Sequence, residues 1–144
     1  MKPMTNMKLE QQVCSLELAK QLKKLGVPQK GYFNWWQRIR EDGDGWEWYV
    51  RTGGVIGESC YCAFTVAELG EILPKKISED GRDYKLAVGF RETGEIFRPY
   101  CEYWNPYEGK RDFRIGDGRT SDTEADARTT MLTYLLENKL ITLQ

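Results

Sequence analysis

Three arginines, Arg111, Arg114 and Arg119, stand within the stretch Asn105–Arg119, where Gly109, Gly116 and Gly118 separate them. Guanidinium forks beside conformationally free backbone suit the binding of a carboxylate or phosphate. The other side chains able to recognise a ligand are rings: the chain has five Trp and eight Tyr, and aromatics reach 12%. Trp35, Trp48 and Tyr103 fall in segments that read as hairpins, where a ring can offer a stacking face. Rings and arginines together suit a base and a phosphate, hence a nucleotide-like ligand. They suit the aromatic and arginine anchors of a protein interface equally well. The plain alternative for the arginines is pairing with Asp112 and Asp117 on a solvated surface.

Catalytic chemistry has less to work with. The chain has no histidine, which removes the commonest general base, the usual nucleophile–histidine pairings and the commonest zinc ligand. A histidine-independent enzyme would need paired carboxylates, a lysine or a cysteine, and no spacing marks such a pair. Cys14, Cys60, Cys62 and Cys101 lack the spacing of a zinc site and read as buried free thiols in a reducing compartment. The acidic turn Glu41-Asp42-Gly43-Asp44-Gly45 lacks the later ligands of a calcium loop. Thr52-Gly53-Gly54-Val55-Ile56-Gly57-Glu58-Ser59 lacks the lysine of a phosphate loop and reads as a connection. Neither a metal nor a cofactor is expected.

A length of 144 residues fits one domain over 1–144, with 1–12 expected as a frayed N-terminal tail. The formal charge of -1 disfavours duplex nucleic acid as a partner, which calls for a basic surplus or face. No run approaches the ~20 apolar residues that span a bilayer, so a cytoplasmic protein without a membrane partner is expected.

Periodicity supplies the elements that must position these groups. Ser15 opens a helix to about Leu25 with Leu18, Leu22 and Leu25 as its stripe, Lys20, Lys23 and Lys24 as its wet side and Gly26 as its stop. Gly31–Ile39 and Trp46–Val50 make an aromatic hairpin about the acidic turn. Thr65 and Glu68 form a capping box for a short helix ended by Pro74, with Phe64 and Leu69 as a hydrophobic staple. Lys75–Asp83 reads as a charged loop. Tyr84, Leu86, Val88 and Phe90 alternate as a strand, turned at Glu92-Thr93-Gly94 and returned by Ile96–Trp104, where Pro99 signals an edge or bulge. Ser121 and Glu124 cap a last helix from about Asp122 to Glu137, with Ala127, Met131, Tyr134 and Leu135 inward and Asn138 as its left-handed stop. The expected fold class is therefore α+β: a mostly antiparallel sheet of two aromatic-rich hairpins framed by three helices, in the order helix, hairpin, helix, hairpin, helix.

One alternative function is a helix-turn-helix DNA-binding regulator, suggested by Leu18–Val27. The segment that follows, Tyr32–Trp36, is aromatic and strand-like where a polar recognition helix is needed. Ser15–Val27, Tyr32–Trp36, Tyr61–Pro74, Glu124–Arg128 and Leu135–Ile141 resemble a family of small uncharacterised proteins that recurs in phages and prophages. The resemblance implies a phage or mobile-element origin and carries no catalytic residues. By analogy it implies counter-defence, through sequestering a nucleotide-like ligand or blocking a host protein. The expectation is a non-enzymatic binding protein, with Trp35, Trp48, Tyr103, Arg111, Arg114 and Arg119 at its site and exposed aromatic edges that could pair two copies.

Overall fold

The computed structural model describes residues 8–53, 60–105, 114–116 and 119–143. Along the chain run α1 (Leu9–Gln12), α2 (Leu16–Lys24), β1 (Phe33–Ile39), β2 (Trp46–Thr52), β3 (Tyr61–Cys62), α3 (Val66–Ile72), β4 (Lys76–Glu79), β5 (Arg82–Thr93), β6 (Ile96–Trp104), β7 (Arg114–Ile115) and α4 (Glu124–Glu137). The fold is α+β, but its strands form two antiparallel sheets, ordered β2-β1-β3 and β4-β5-β6-β7. Among the described residues there are four helices where three were expected. None is long and apolar enough to cross a membrane.

Local signals explain most of the elements. Thr65 accepts the Glu68 N–H at 3.2 Å while Glu68 Oε1 accepts the Thr65 N–H at 2.9 Å, a closed capping box at the start of α3. At the end of α2, Gly26 takes φ +88° and the Val27 and Gly26 N–H groups return to Leu22 and Lys23 carbonyls, so the last turn closes as a Schellman motif. Helix α4 departs from expectation at both ends. Ser121 donates to Pro99 O and Thr120 bridges Tyr100, which holds the chain on β6 until Thr123 caps the helix instead. At its far end Asn138 stays at φ -93°, and Lys139 at φ +56° is the left-handed residue.

The expected charged loop Lys75–Asp83 is mostly a hairpin. Ile77 is buried opposite Tyr84, and Asp80 (φ 52°) with Gly81 (φ 74°) make the two-residue turn between Glu79 and Arg82. Both central residues are left-handed, the condition for a type I′ turn, and Asp-Gly is among its preferred sequences. The expected tail likewise ends early: Leu9–Gln12 make one helical turn, Leu9 packs on the core and Val13 bridges Thr65.

Helix α4 is the hub. Ala125, Ala127, Thr129, Met131, Leu132, Thr133 and Leu135 are all buried, and α1, α2, α3 and β6 pack around it. Tyr134, expected inward, is 40% exposed. Asp126 ties the hub to α2, its Oδ1 accepting the Ser15 N–H at 2.7 Å. Burial holds the Asp126 carboxyl above the usual range.

Candidate functional site

Strand alternation decides where the rings of the first sheet point. Phe33, Trp35, Gln37 and Ile39 of β1 share one face with Trp46, Trp48, Val50 and Thr52 of β2, and Tyr61 of β3 lies opposite Trp35. This is the core face: Trp35 is buried, and its Nε1 donates to Cys14 O at 3.0 Å. Trp48 packs on Tyr61, and the Lys20 ammonium stands 5.3 Å from the Trp48 ring. Lys20 and Lys23 of α2, expected on its wet side, both lie over Tyr61, and Lys23 Nζ donates to Cys60 O at 3.0 Å.

The outer face carries Asn34, Trp36 and Arg38 opposite Arg51, Tyr49 and Glu47. Arg51 lies 4.5 Å from the Trp36 ring and Arg38 lies 4.4 Å from the Tyr49 ring. Each ring is therefore already stacked by a cation that is its diagonal neighbour on the facing strand. Asn34 is 1% exposed, and among the described residues its amide has no hydrogen-bond partner, nor has Trp36 Nε1.

The arginines are dispersed. Arg111 lies outside the described residues, as do residues 54–59 of the glycine-rich connection. Arg114 is on β7, with Nη1 3.7 Å from Glu102 Oε2, on the outer face of the second sheet where Arg91 also holds Glu102 at 2.9 Å. Arg119 borders a small cavity with Cys101 and Tyr134 on the opposite, α4 side. Tyr103 is wholly buried, and its hydroxyl donates to Pro74 O. Burial pushes its phenol well above the ordinary range. Trp35, Trp48 and Tyr103 thus face the core, and the two described arginines lie on opposite sides of β6.

A larger open concavity among the described residues lies elsewhere, at the junction of the two sheets. It holds about 540 Å³ and is walled by Phe33, by Thr65–Ala67 at the start of α3, by Phe90, Phe97 and Pro99, by Asp122–Ala125 at the start of α4 and by Gln11 and Gln12. The β5–β6 hairpin supplies its apolar roof. Pairing of Phe90 with Pro99, Val88 with Cys101 and Glu92 with Phe97 puts these residues on the face that, further back, buries Tyr103 and Tyr84 against the core. The hairpin outreaches what α4 covers, leaving Val88 45%, Phe90 57% and Phe97 67% exposed. Next to the groove, a smaller cavity is lined by Val88, Phe90, Glu124 and Arg128. The rim is acidic: Glu92 and Glu124 are exposed, and Asp122 is paired with Arg98 at 3.0 Å.

Sequence reasoning missed Phe33, Phe90 and Phe97. The available signal was length: four alternating apolar positions, Tyr84 to Phe90, followed by Phe97 past the turn, make a strand face longer than one short helix start can roof. Three of the thiols are poor nucleophiles. Burial pushes Cys14 and Cys62 up to about 12 and Cys101 up to about 11, so all three stay protonated at neutral pH. Comparison of the chain with protein-family models, curated proteins and solved structures finds no match.

Proposed function

We propose that the protein is a non-enzymatic binding protein whose partner is another protein, one that places apolar side chains in the groove between the β5–β6 hairpin and the starts of α3 and α4. One observation carries the proposal: Val88, Phe90 and Phe97 stand bare on one face of a hairpin, above a groove of about 540 Å³. Exposed apolar side chains gathered at a concavity mark interaction sites, and large rings in pockets supply most interface energy. The acidic rim favours a partner whose apolar segment is flanked by lysine or arginine. In the setting implied by the resemblance to phage and prophage proteins, the partner is a host protein and binding acts by blocking it.

The test is selection of random twelve-residue peptides on the full chain, followed by titration of the enriched sequences. The expected enrichment is for aromatic or aliphatic residues with basic flanks. Phe97→Asp and Phe90→Asp should each weaken binding about tenfold or more, since each puts a charge where an apolar contact is buried. Binding indifferent to both substitutions would remove the groove as the site.

A nucleotide-like ligand is the second reading, favoured by the outer face of the first sheet. There Arg51 on Trp36 and Arg38 on Tyr49 combine cations with rings. Thermal melting against mono-, di- and cyclic nucleotides tests it. A native-state ligand at a hundredfold excess over its Kd stabilises by ~2.7 kcal/mol. A shift abolished by Arg51→Ala supports this second site, and no shift with any nucleotide eliminates it.

A further inference from the structure

The groove has a neighbour that specifies how a partner segment enters: the outer flank of β5. Leu86 N–H donates to Lys75 O at 3.0 Å, so the main chain at position 86 points toward the β4 side. From there β5 runs against β6 in unbroken register, Leu86 opposite Tyr103 through to Thr93 opposite Ile96. Without a bulge, the groups that point outward recur at every second residue. The N–H and C=O of Val88, Phe90 and Glu92 therefore face the same outer flank as those of Leu86. Strand β4 covers that flank only from Arg82 to Lys85. Beyond Leu86, among the described residues, no strand pairs with it.

The same three residues direct their side chains to the groove face. A strand laid on this flank thus sets alternate side chains beside Val88 and Phe90 and toward the groove, while its main chain completes the ladder. Bare strand edges are templates for pairing, and edges are ordinarily blunted by proline, charge or a bulge. Here the edge is left regular, and its charge on the groove face is the carboxylate of Glu92.

Building on the groove proposed above, we propose that the partner segment binds as an extended strand on the outer flank of β5. It exchanges hydrogen bonds with the main chain of Val88, Phe90 and Glu92. Its apolar side chains alternate into the groove, and a lysine or arginine two residues away meets Glu92 or Glu124. The occupant is a basic-flanked extended segment of another protein, recognised by strand addition.

The experiment uses the peptides selected on the full chain. Each is N-methylated at successive positions, and each is also titrated against Glu92→Pro. Residue 92 directs its N–H away from β6, so proline there removes an outward donor and no ladder bond, as Pro99 already does across the hairpin. N-methylation should weaken binding about tenfold at every second peptide residue and leave the intervening positions unaffected, each loss being one buried hydrogen bond. Glu92→Pro should weaken binding by a similar factor beyond Glu92→Gln, which removes the carboxylate alone. Peptides that need Phe97 but are indifferent to N-methylation and to Glu92→Pro would overturn strand addition while leaving the groove intact. A dimer of the protein alone that dissociates on Glu92→Pro would give the edge to a second copy, and would also overturn it. No dependence on Phe90 or Phe97 at all would be failure of the groove itself.

Discussion

At the β1–β2 hairpin, rings on both faces have partners. Trp35 is buried under Cys14, Trp48 lies against Tyr61 and Lys20, and Trp36 and Tyr49 carry Arg51 and Arg38. Its bare apolar pair is Ile39 opposite Trp46, where the strands enter the turn. At the outer half of the β5–β6 hairpin the pattern is reversed: the outer face is a network of Arg91, Glu102 and Tyr100, while Val88, Phe90 and Phe97 on the core-side face are only partly covered by the start of α4. Aromatic richness alone therefore does not locate a site. A ring signals binding where the element that should cover it stops short beside a concavity, and in this chain the groove where α3 and α4 begin meets both conditions.

The largest expected effect sets one hairpin directly against the other. Trp35→Ala should cost about 3–5 kcal/mol, the range for truncating a buried large aromatic. Phe97→Ala should stay within ~0.5 kcal/mol, as an exposed position does. Urea unfolding of both variants measures the contrast, and similar losses would abolish the distinction between covered and uncovered rings.

Within the second hairpin the same contrast runs from base to tip. Tyr103→Phe keeps the buried ring and removes the hydroxyl that Pro74 O accepts. The expected loss is about 1 kcal/mol in the same unfolding assay, and no loss would mean that Pro74 O is satisfied in another way.

The smallest effect concerns the helix start that bounds the groove. Asp126 has its carboxyl raised by burial, opposed by the hydrogen bond from Ser15. The native chain therefore binds that proton more readily than the unfolded chain. The contribution of this group favours folding most below the ordinary aspartate range, and it declines as pH rises through the folded value. Asp126→Asn retains an acceptor for Ser15 and removes the titration. Its stability relative to the natural chain should improve as pH is raised from 4 to 7, followed by urea midpoints. A difference that does not change with pH would show that Asp126 ionises as freely folded as unfolded.

Much of the fold was legible because its signals are local. The Thr65–Glu68 box, the Gly26 stop and the alternation of Tyr84, Leu86, Val88 and Phe90 each depend on residues within one or two turns of the chain. The Asp80-Gly81 turn was equally local and was obscured by the charges around it. What could not be read depends on distant partners. Trp35 and Trp36 are adjacent, so they point to opposite faces, and it is the distant Cys14 carbonyl that receives the first of them in the core. The start of α4 moved from Ser121 to Thr123 because Pro99, far back in the chain, holds residue 121. The groove is the extreme case, since five separate segments meet there and none carries a motif that marks binding.

The central claim is that the uncovered half of the β5–β6 hairpin, and not the stacked face of β1–β2, receives the partner. Amide hydrogen exchange of the full chain, with and without a selected peptide, addresses it most directly. New protection is expected at Val88, Phe90 and Glu92, whose N–H groups face outward, with the amides of Trp35–Thr52, away from the groove, unchanged. Protection confined to Trp35–Thr52, with the outer half of β5 exchanging as before, would contradict it.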